Sequence, residues 1–202
     1  HQKESDIFKV QIYKDNGRGY QEEESEFIED AYKGDNLIEL EYVFDGNVQN
    51  LRIDPAFDSC MCKVQEMTLN GEAVPLGTRG ILHVNGKVVK GKDEVSMVFA
   101  TNDPNINISI TKLQPKAENR LYLRMEIVRL PMSMAEDIQK SYDMVCDAVN
   151  HNKERLASLK SAKEEILKRI GDGADISLEK EKEKAMKIIE GTALNMGITI
   201  KE

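Results

Sequence analysis

The sequence predicts an antiparallel, jelly-roll-like β-sandwich in residues 6–130, followed by a long α-helix and a shorter helix in residues 131–196. Two observations predict the sandwich: short runs of alternating apolar and polar residues, and turn-forming residues about every 8–15 positions between them. A third observation predicts the helices. From Pro131 no Gly or Pro occurs until Gly171, and the apolar residues take a heptad spacing.

The first predicted strand lies in Ile7–Lys14, where apolar residues occupy every second position. Successive side chains of a strand point to opposite faces, so this run turns one face toward a core. Asn16-Gly17 then predicts a tight turn, because Gly tolerates a positive φ. The acidic stretch from residue 21 to 30 holds few apolar residues and is expected to be a surface loop or an irregular edge.

The stretch Leu37–Leu69 is the centre of the predicted sandwich. Ile38–Phe44 alternates between apolar and polar residues, and in the later run Cys60 and Cys62 share one face. Proline fixes φ and lacks an N–H, so Arg52–Pro55 is expected to be a strand end or a sheet edge.

Later runs bring the count to about eight strands. Ile81–Val84 and Lys87–Lys90 flank Asn85-Gly86 and predict a hairpin. The remaining alternating runs are Val95–Phe99, Ile106–Ile110 and Leu121–Val128.

A heptad stripe marks the long helix, which we expect to be about 55 Å long at 1.5 Å per residue. A helix of this length needs another helix to bury its stripe. That helix is either the shorter one from about Leu178 to Asn195, in an intramolecular hairpin, or a partner chain in a coiled coil that makes a homo-oligomer. Asn152 and Lys163, both in the stripe, would set register or partner number. The stripe comprises Ile138, Tyr142, Val145, Val149, Asn152, Leu156, Leu159, Lys163, Ile166 and Ile170.

Composition excludes several classes of protein. The chain carries 32% charged residues and a net charge of −8, which favours a soluble, acidic protein and disfavours nucleic-acid binding through clustered cations. No apolar run approaches the roughly 20 residues of a membrane helix, and no signal peptide opens the chain. The expected location is cytoplasmic. The chain starts without Met, so we expect an excised piece of a longer protein with a tag remnant.

The three cysteines are expected to be reduced, buried thiols. Cys60 and Cys62 lie two apart in a strand, Cys146 lies in the helical part, and no Cys/His spacing typical of zinc occurs. No phosphate-binding loop and no Gly-x-Ser-x-Gly motif is present, so the sequence predicts neither a cofactor nor an enzyme.

Three segments, Asp15–Glu23, Leu51–Pro55 and Cys62–Gly71, resemble those of a β-sandwich accessory module attached to bacterial glycosyltransferases and other cell-surface polysaccharide biosynthesis proteins. The resemblance covers Ile7 to Leu130. It implies a non-catalytic, carbohydrate-binding-like sandwich, whose parent protein carries the catalytic domain. The long helix lies outside the resemblance and would join the module to that domain or to another subunit.

Five residues are candidates for glycan binding. A sugar site combines a flat aromatic face with a bidentate charged group, which Tyr20 and Arg18 could supply beside Asp15. Arg52 and Asp54 share a strand face and could bind sugar hydroxyls. The alternatives are that Asp15 and the glycines only form a turn with Tyr20 packed on the edge, and that Arg52 and Asp54 pair to hold a strand end to a loop.

Two readings of the acidic cluster Glu22–Glu26 are open: a Ca²⁺ site, for which no Asp-x-Asp-x-Asp-Gly spacing exists, or a solvated loop. For the whole chain, the leading hypothesis is a glycan-recognition module on a coiled coil, and the alternative is a structural spacer and assembly domain without a ligand. A catalytic sandwich, such as a lyase or hydrolase, is a third hypothesis.

Overall fold

The computed structural model describes residues 9–90, 95–171 and 178–195. The chain divides into two compact units, His1–Tyr142 and Asp143–Glu202. Ile7 and Phe8, at the start of the first predicted strand, lie outside the described residues.

The first unit contains two antiparallel sheets, as the alternating runs predicted. Their strands are β1 (Val10–Asp15), β2 (Glu26–Ile28), β3 (Leu37–Asp45), β4 (Asn50–Asp54), β5 (Cys60–Leu69), β6 (Glu72–Ala73), β7 (Leu82–Val84), β8 (Lys87–Lys90), β9 (Val95–Phe99), β10 (Ile106–Ser109) and β11 (Glu118–Arg129). A five-stranded sheet has the order β2-β1-β4-β10-β7. A six-stranded sheet has the order β3-β11-β5-β9-β8, with β6 paired to β5.

One hydrophobic core lies between the two sheets, and both contribute to it. The inward positions are those of the period-two pattern, for instance Ile12 on β1 and Leu123 on β11, which are both 0% exposed. Cys60 and Cys62 belong to this core as free thiols with their sulfur atoms 3.9 Å apart. The largest fully buried side chains are Phe99, Ile12, Ile38, Leu51, Ile53, Met97, Ile106, Ile108, Ile110, Leu121, Leu123 and Met125.

The expectation of a sheet edge at Arg52–Pro55 was wrong. β4 lies in the interior of the five-stranded sheet and pairs with both β1 and β10. The strand ends at Asp54, so Pro55 follows the last paired residue and its missing N–H breaks no ladder. The alternative expectation, a strand end, is correct.

The hairpin predicted around Asn85-Gly86 was also wrong, because its two strands belong to different sheets. β7 pairs with β10, whereas β8 pairs with β9. The side chain of Asn85 bonds the backbone of the loop before β10: its amide donates to Asp103 O at 2.6 Å, and its oxygen accepts from Asn105 N at 2.9 Å. These bonds direct the chain across the core instead of back along the same sheet.

Helix α1 (Met132–Gly171) begins within the first unit. Ala135 is completely buried, and Gln139 Nε2 donates to the carbonyl oxygen of Val98 on β9 at 2.7 Å. Ile138 and Tyr142 are half-buried. The first turns of the helix therefore dock on the six-stranded sheet. The helix itself begins at Met132, next to the domain boundary expected at residue 130.

In the second unit, α1 meets helix α2 (Leu178–Asn195) at its C-terminal end. Ile166 and Ile170 of α1, with Met186 and Ile189 of α2, line one narrow pocket. The C-terminal end of the heptad stripe thus lies opposite α2 of the same chain. Val145 and Val149, earlier in the stripe, remain exposed. Among the described residues, neither helix is long and apolar enough to span a membrane.

Gly46 follows β3 and lies in close contact with the backbone of the segment before β11. A Cβ at Gly46 would overlap the carbonyl oxygen of Lys116 and lie 3.1 Å from the Cα of Ala117. We expect Gly46→Ala to lower the free energy of unfolding by about 1–3 kcal/mol, because backbone must move. Urea denaturation measures the loss. Gly77→Ala is the matched control, since its Cβ meets no atom within 4 Å; equal losses in both variants would contradict the prediction.

Candidate functional site

The segment between β1 and β2 folds over the outer face of the five-stranded sheet. Asp15 begins it: Asp15 Oδ1 accepts from Gly17 N at 2.7 Å and Gly19 N at 2.9 Å, and Oδ2 accepts from Asn50 Nδ2 at 2.9 Å. These bonds, that from Asn50 most strongly, lower the pKa of Asp15. Gly17 and Gly19 have φ values of 91° and 82°, which favour glycine. Asp15 is therefore a turn residue.

Tyr13 on β1 lies beneath this segment and organises it. The Arg52 guanidinium carbon lies 4.9 Å from the centre of the Tyr13 ring, and the Tyr20 ring packs edge-on at 6.4 Å. The Tyr13 hydroxyl donates to Glu22 Oε2 at 2.8 Å, and Gln11 Nε2 donates to Glu22 Oε1 at 2.9 Å. Both bonds lower the pKa of Glu22. Glu22 thus pins the segment to the sheet.

Arg52 and Asp54 form a bidentate ion pair on the same face of β4. Arg52 Nε and Nη2 each donate to an oxygen of Asp54 at 2.7 Å, and Nη2 also donates to Asp103 Oδ1 at 2.6 Å. The Asp54 side chain is only 4% exposed. The pKa of Asp54 is raised, because burial raises it by more than the hydrogen bonds and charge of Arg52 lower it. The desolvation of the carboxylate thus outweighs its pairing with Arg52. The pair ties β4 to the loop before β10, as the structural alternative proposed.

Polar groups remain beside this pair without a partner in the described part of the chain. Arg52 Nη1 forms no hydrogen bond there. The Tyr20 hydroxyl has none either, and burial, followed by the charge of Asp15, raises its pKa to about 12. The Asp103 side chain is 66% exposed. We call Tyr13, Tyr20, Arg52, Asp54 and Asp103 the Tyr20–Arg52 cluster; its free groups can bind an external hydrogen-bonding ligand.

An exposed aromatic pair lies on the same outer face. Phe27 on β2 pairs with Gln11 on β1, whose neighbours Val10 and Ile12 point into the core, so Phe27 points outward. Its ring centre is 6.2 Å from that of Phe57, and the two residues are 50% and 42% exposed. Lys9 Nζ lies 5.7 Å from the centre of the Phe27 ring. Two phenyl rings held open to water form a platform for a flat, apolar surface.

Three carboxylates of the acidic cluster, those of Glu23, Glu24 and Glu26, line a polar cleft of about 360 Å³. Lys14 pairs with Glu26 at 2.6 Å and Arg18 pairs with Glu24 at 3.3 Å. These ion pairs neutralise part of the negative charge of the acidic cluster. Among the described residues, no three His, Cys, Asp or Glu side chains are arranged to hold a metal ion. The cleft is lined by Lys14, Asn16, Glu23, Glu24, Ser25, Glu26, Asp45, Asn47 and Val48.

Four of the five predicted binding residues come together, and Arg18 does not. Tyr20, Arg52 and Asp54 surround Tyr13, with Asp15 at the base of the segment, whereas Arg18 is directed to Glu24. Sequence reasoning missed Tyr13, Asp103 and the two phenylalanines. The outward position of Tyr13 follows from the period of β1. The pairing of Phe27 with Phe57 follows from sheet order and had no signal in the sequence.

Comparison with protein-family models, with curated proteins and with solved structures finds no match to this chain.

Proposed function

We propose that this chain is a non-catalytic binding module that recognises glycan on the outer face of its five-stranded sheet. One observation carries the proposal: Phe27 and Phe57 are exposed on the same face as the unpaired polar groups of the Tyr20–Arg52 cluster. Phe27 pairs with Gln11 from β2, whereas Arg52 pairs with Tyr13 from β4, on the other side of β1. With about 7 Å between Gln11 and Tyr13 along β1 and about 5 Å between neighbouring strands, the Cα atoms of Phe27 and Arg52 are on the order of 12 Å apart. A ligand that reaches both parts must therefore extend over more than one sugar ring.

The chemistry of a pyranose fits this surface. A sugar ring has a face of C–H groups, which stacks on aromatic rings, and a rim of hydroxyl groups. Arg52 Nη1 can donate to the hydroxyl groups of a neighbouring sugar ring, Asp103 can accept from them, and the Tyr20 hydroxyl can do either. The nearby carboxylates of the acidic cleft disfavour anionic polysaccharides, so neutral glycans are the expected ligands.

The proposal extends to the type of sandwich, to the parent protein and to the role of the heptad stripe. The sandwich is of the jelly-roll type, and the module acts beside the catalytic domain of a bacterial glycosyltransferase-type protein, as the resemblance implies. The heptad stripe of α1 acts as the coiled-coil element that brings the module to another subunit.

The second candidate function is a structural spacer and assembly domain without a ligand. It is favoured by a specific observation, because Asp15, Asp54 and Glu22 all have intrachain partners. These residues hold the segment over the sheet whether or not a ligand binds.

Removing the two phenyl rings is expected to abolish glycan retention without unfolding the sandwich. Phe27→Ala/Phe57→Ala deletes the stacking surface, and these exposed side chains contribute little to the core. Affinity electrophoresis on gels containing neutral glucans, galactans, mannans or rhamnans measures retention, and the melting temperature reports the fold. Val43→Ala is the matched control, because Val43 is 47% exposed on the six-stranded sheet.

Tyr20→Phe sharpens the test of the polar part. It keeps the ring on Tyr13 and removes only the hydroxyl, so a weaker retention at an unchanged melting temperature supports direct contact with sugar. If the wild-type chain is retained by no glycan in the panel, or if the double alanine variant is retained as strongly as the wild type, the spacer function is the better account.

A further inference from the structure

The middle of the heptad stripe forms an apolar seam in the second unit. We define the seam as Val145, Val149, Asn152 and Leu156, which occupy alternating d and a positions of the heptad. Val145 is 60% exposed and Val149 is 46% exposed. The seam precedes the residues of α1 that share a pocket with α2, which begin at Lys163. It runs for about 17 Å along the helix axis.

The positions that flank the seam carry positive charge and no negative charge. In a heptad repeat these are the e and g positions, whose side chains meet the flanks of a partner helix. The acidic residues near the seam, such as Asp147 and Glu154, lie on the opposite face of α1. From one end to the other, the flanking residues are Ser141, Cys146, Ala148, Lys153, Arg155 and Lys160.

Three of these cations have no carboxylate partner in the described part of the chain: Lys153, Arg155 and Lys160 form no ion pair there. Other cations of the two helices do have such partners four residues away. Arg169 pairs with Glu165 at 2.6 Å and Lys187 with Glu183 at 3.2 Å. The charges along the seam are thus available to a partner.

A second copy of this chain is a poor occupant. In a parallel pair, the g position of one helix meets the e position five residues later in the other, which places Arg155 against Lys160 of the partner copy. In an antiparallel pair, e meets e and g meets g, and neither set contains a carboxylate. Both arrangements leave the cations without opposite charge.

We propose that the seam docks an amphipathic helix of a different protein, with apolar residues at its core positions and Glu or Asp at its flanks. Carboxylates at those flanks would pair with Lys153, Arg155 and Lys160, while its apolar residues cover Val145 and Val149. Asn152 at a core position pairs best with a polar core residue, so it fixes the register of the partner. The partner is therefore specified by its charge pattern and by one polar residue in its core.

Two synthetic helices test the proposal with the full chain. Each peptide has about 21 residues, with Leu at every a and d position except one d position, which carries Asn. The e and g positions are all Glu in the first peptide, the Glu peptide, and all Lys in the second, the Lys peptide. Fluorescence anisotropy measures binding, and we expect the Glu peptide alone to bind, more weakly as salt is added. Lys153→Glu/Arg155→Glu/Lys160→Glu should weaken the Glu peptide on the order of tenfold or more and admit the Lys peptide. Lys168→Glu, on the opposite face of α1, is the control.

Other results would overturn the proposal. If the Glu peptide fails to bind, or if both peptides bind equally, the cations beside the seam do not select an acidic partner helix. A dimer by light scattering that Val149→Asp dissociates would identify a second copy as the occupant. A lower melting temperature of monomeric Val149→Asp would show that the chain covers its own seam. Binding to anionic phosphatidylglycerol vesicles with no binding to the Glu peptide would assign the seam to a lipid surface.

Discussion

Arg52→Met is expected to lower the free energy of unfolding by about 3–5 kcal/mol, because it leaves the buried carboxylate of Asp54 without its bidentate partner. The Asp54 side chain is 4% exposed and accepts both of its described hydrogen bonds from Arg52. The methionine keeps much of the aliphatic stem that packs beside Tyr13. The loss therefore reports on charge more than on packing. Urea denaturation at pH 7 gives the number.

A double-mutant cycle separates the interaction energy of the Arg52–Asp54 ion pair from the effects of each side chain alone. Desolvation already outweighs pairing at Asp54, so the double variant Arg52→Met/Asp54→Leu should be more stable than Arg52→Met alone, by about 2 kcal/mol or more. Arg120→Met is the exposed control. Arg120 pairs with Glu41, but the two side chains are 59% and 50% exposed, so its loss should stay below about 1 kcal/mol.

The pH dependence of the Arg52→Met variant has a definite sign. Burial raises the pKa of Asp54 above its value in the unfolded chain, and without Arg52 the pKa rises further. The folded variant then binds a proton more readily than the unfolded chain does. Its deficit should shrink as the pH is lowered through the raised pKa of Asp54. A deficit that stays constant from pH 7 to pH 4 would contradict the buried-carboxylate explanation.

Local pattern predicted the strands of this chain well and their neighbours poorly. The period-two alternation placed Arg52 and Asp54 on one face of a strand, and the structure joins them in an ion pair. Local pattern misleads at Asn85-Gly86, because Asn-Gly fits a two-residue turn and so predicts a hairpin. The bonds from Asn85 to Asp103 and Asn105 decide that turn, and they join residues about 20 positions apart.

The candidate site shows the same division. Tyr20 was identified because it follows a glycine-flanked turn, and the turn forms around Asp15 as that pattern indicates. Asp103 reaches Arg52 across 51 positions, and Phe57 reaches Phe27 only because β2 extends the sheet beside β1. Contacts of this kind depend on sheet order, which the alternation of a single strand does not encode.

Two of the segments singled out in the sequence, Asp15–Glu23 and Leu51–Pro55, act in the structure mostly as supports. Asp15 holds a turn, Glu22 ties the segment over β1 to Tyr13, and Arg52 ties β4 to a loop. Ligand selection would then fall largely to exposed residues outside those segments, Phe27 and Phe57 among them.

Asn70, at the end of the third resembling segment, belongs to a second buried polar network. It has a φ of 55° at the turn that it forms with Gly71, and its Oδ1 accepts from Arg120 N at 2.9 Å. Its Nδ2 donates to Asn119 Oδ1 at 3.0 Å. Asn119 is 0% exposed and also bonds both backbone groups of Lys116, accepting from N at 2.8 Å and donating to O at 3.0 Å.

Asn119→Ala is accordingly expected to lower the free energy of unfolding by about 3 kcal/mol or more, because three polar groups lose their partner at a buried position. Asn107→Ala is the matched control. Asn107 makes one described side-chain bond, to Asn105 Oδ1 at 2.9 Å, and its loss should be about 1 kcal/mol. Asn119→Asp keeps the acceptor but sets an oxygen against Lys116 O, so it should not restore stability at pH 7. Equal losses in the two alanine variants would show that the buried position of Asn119 adds nothing to its hydrogen bonds.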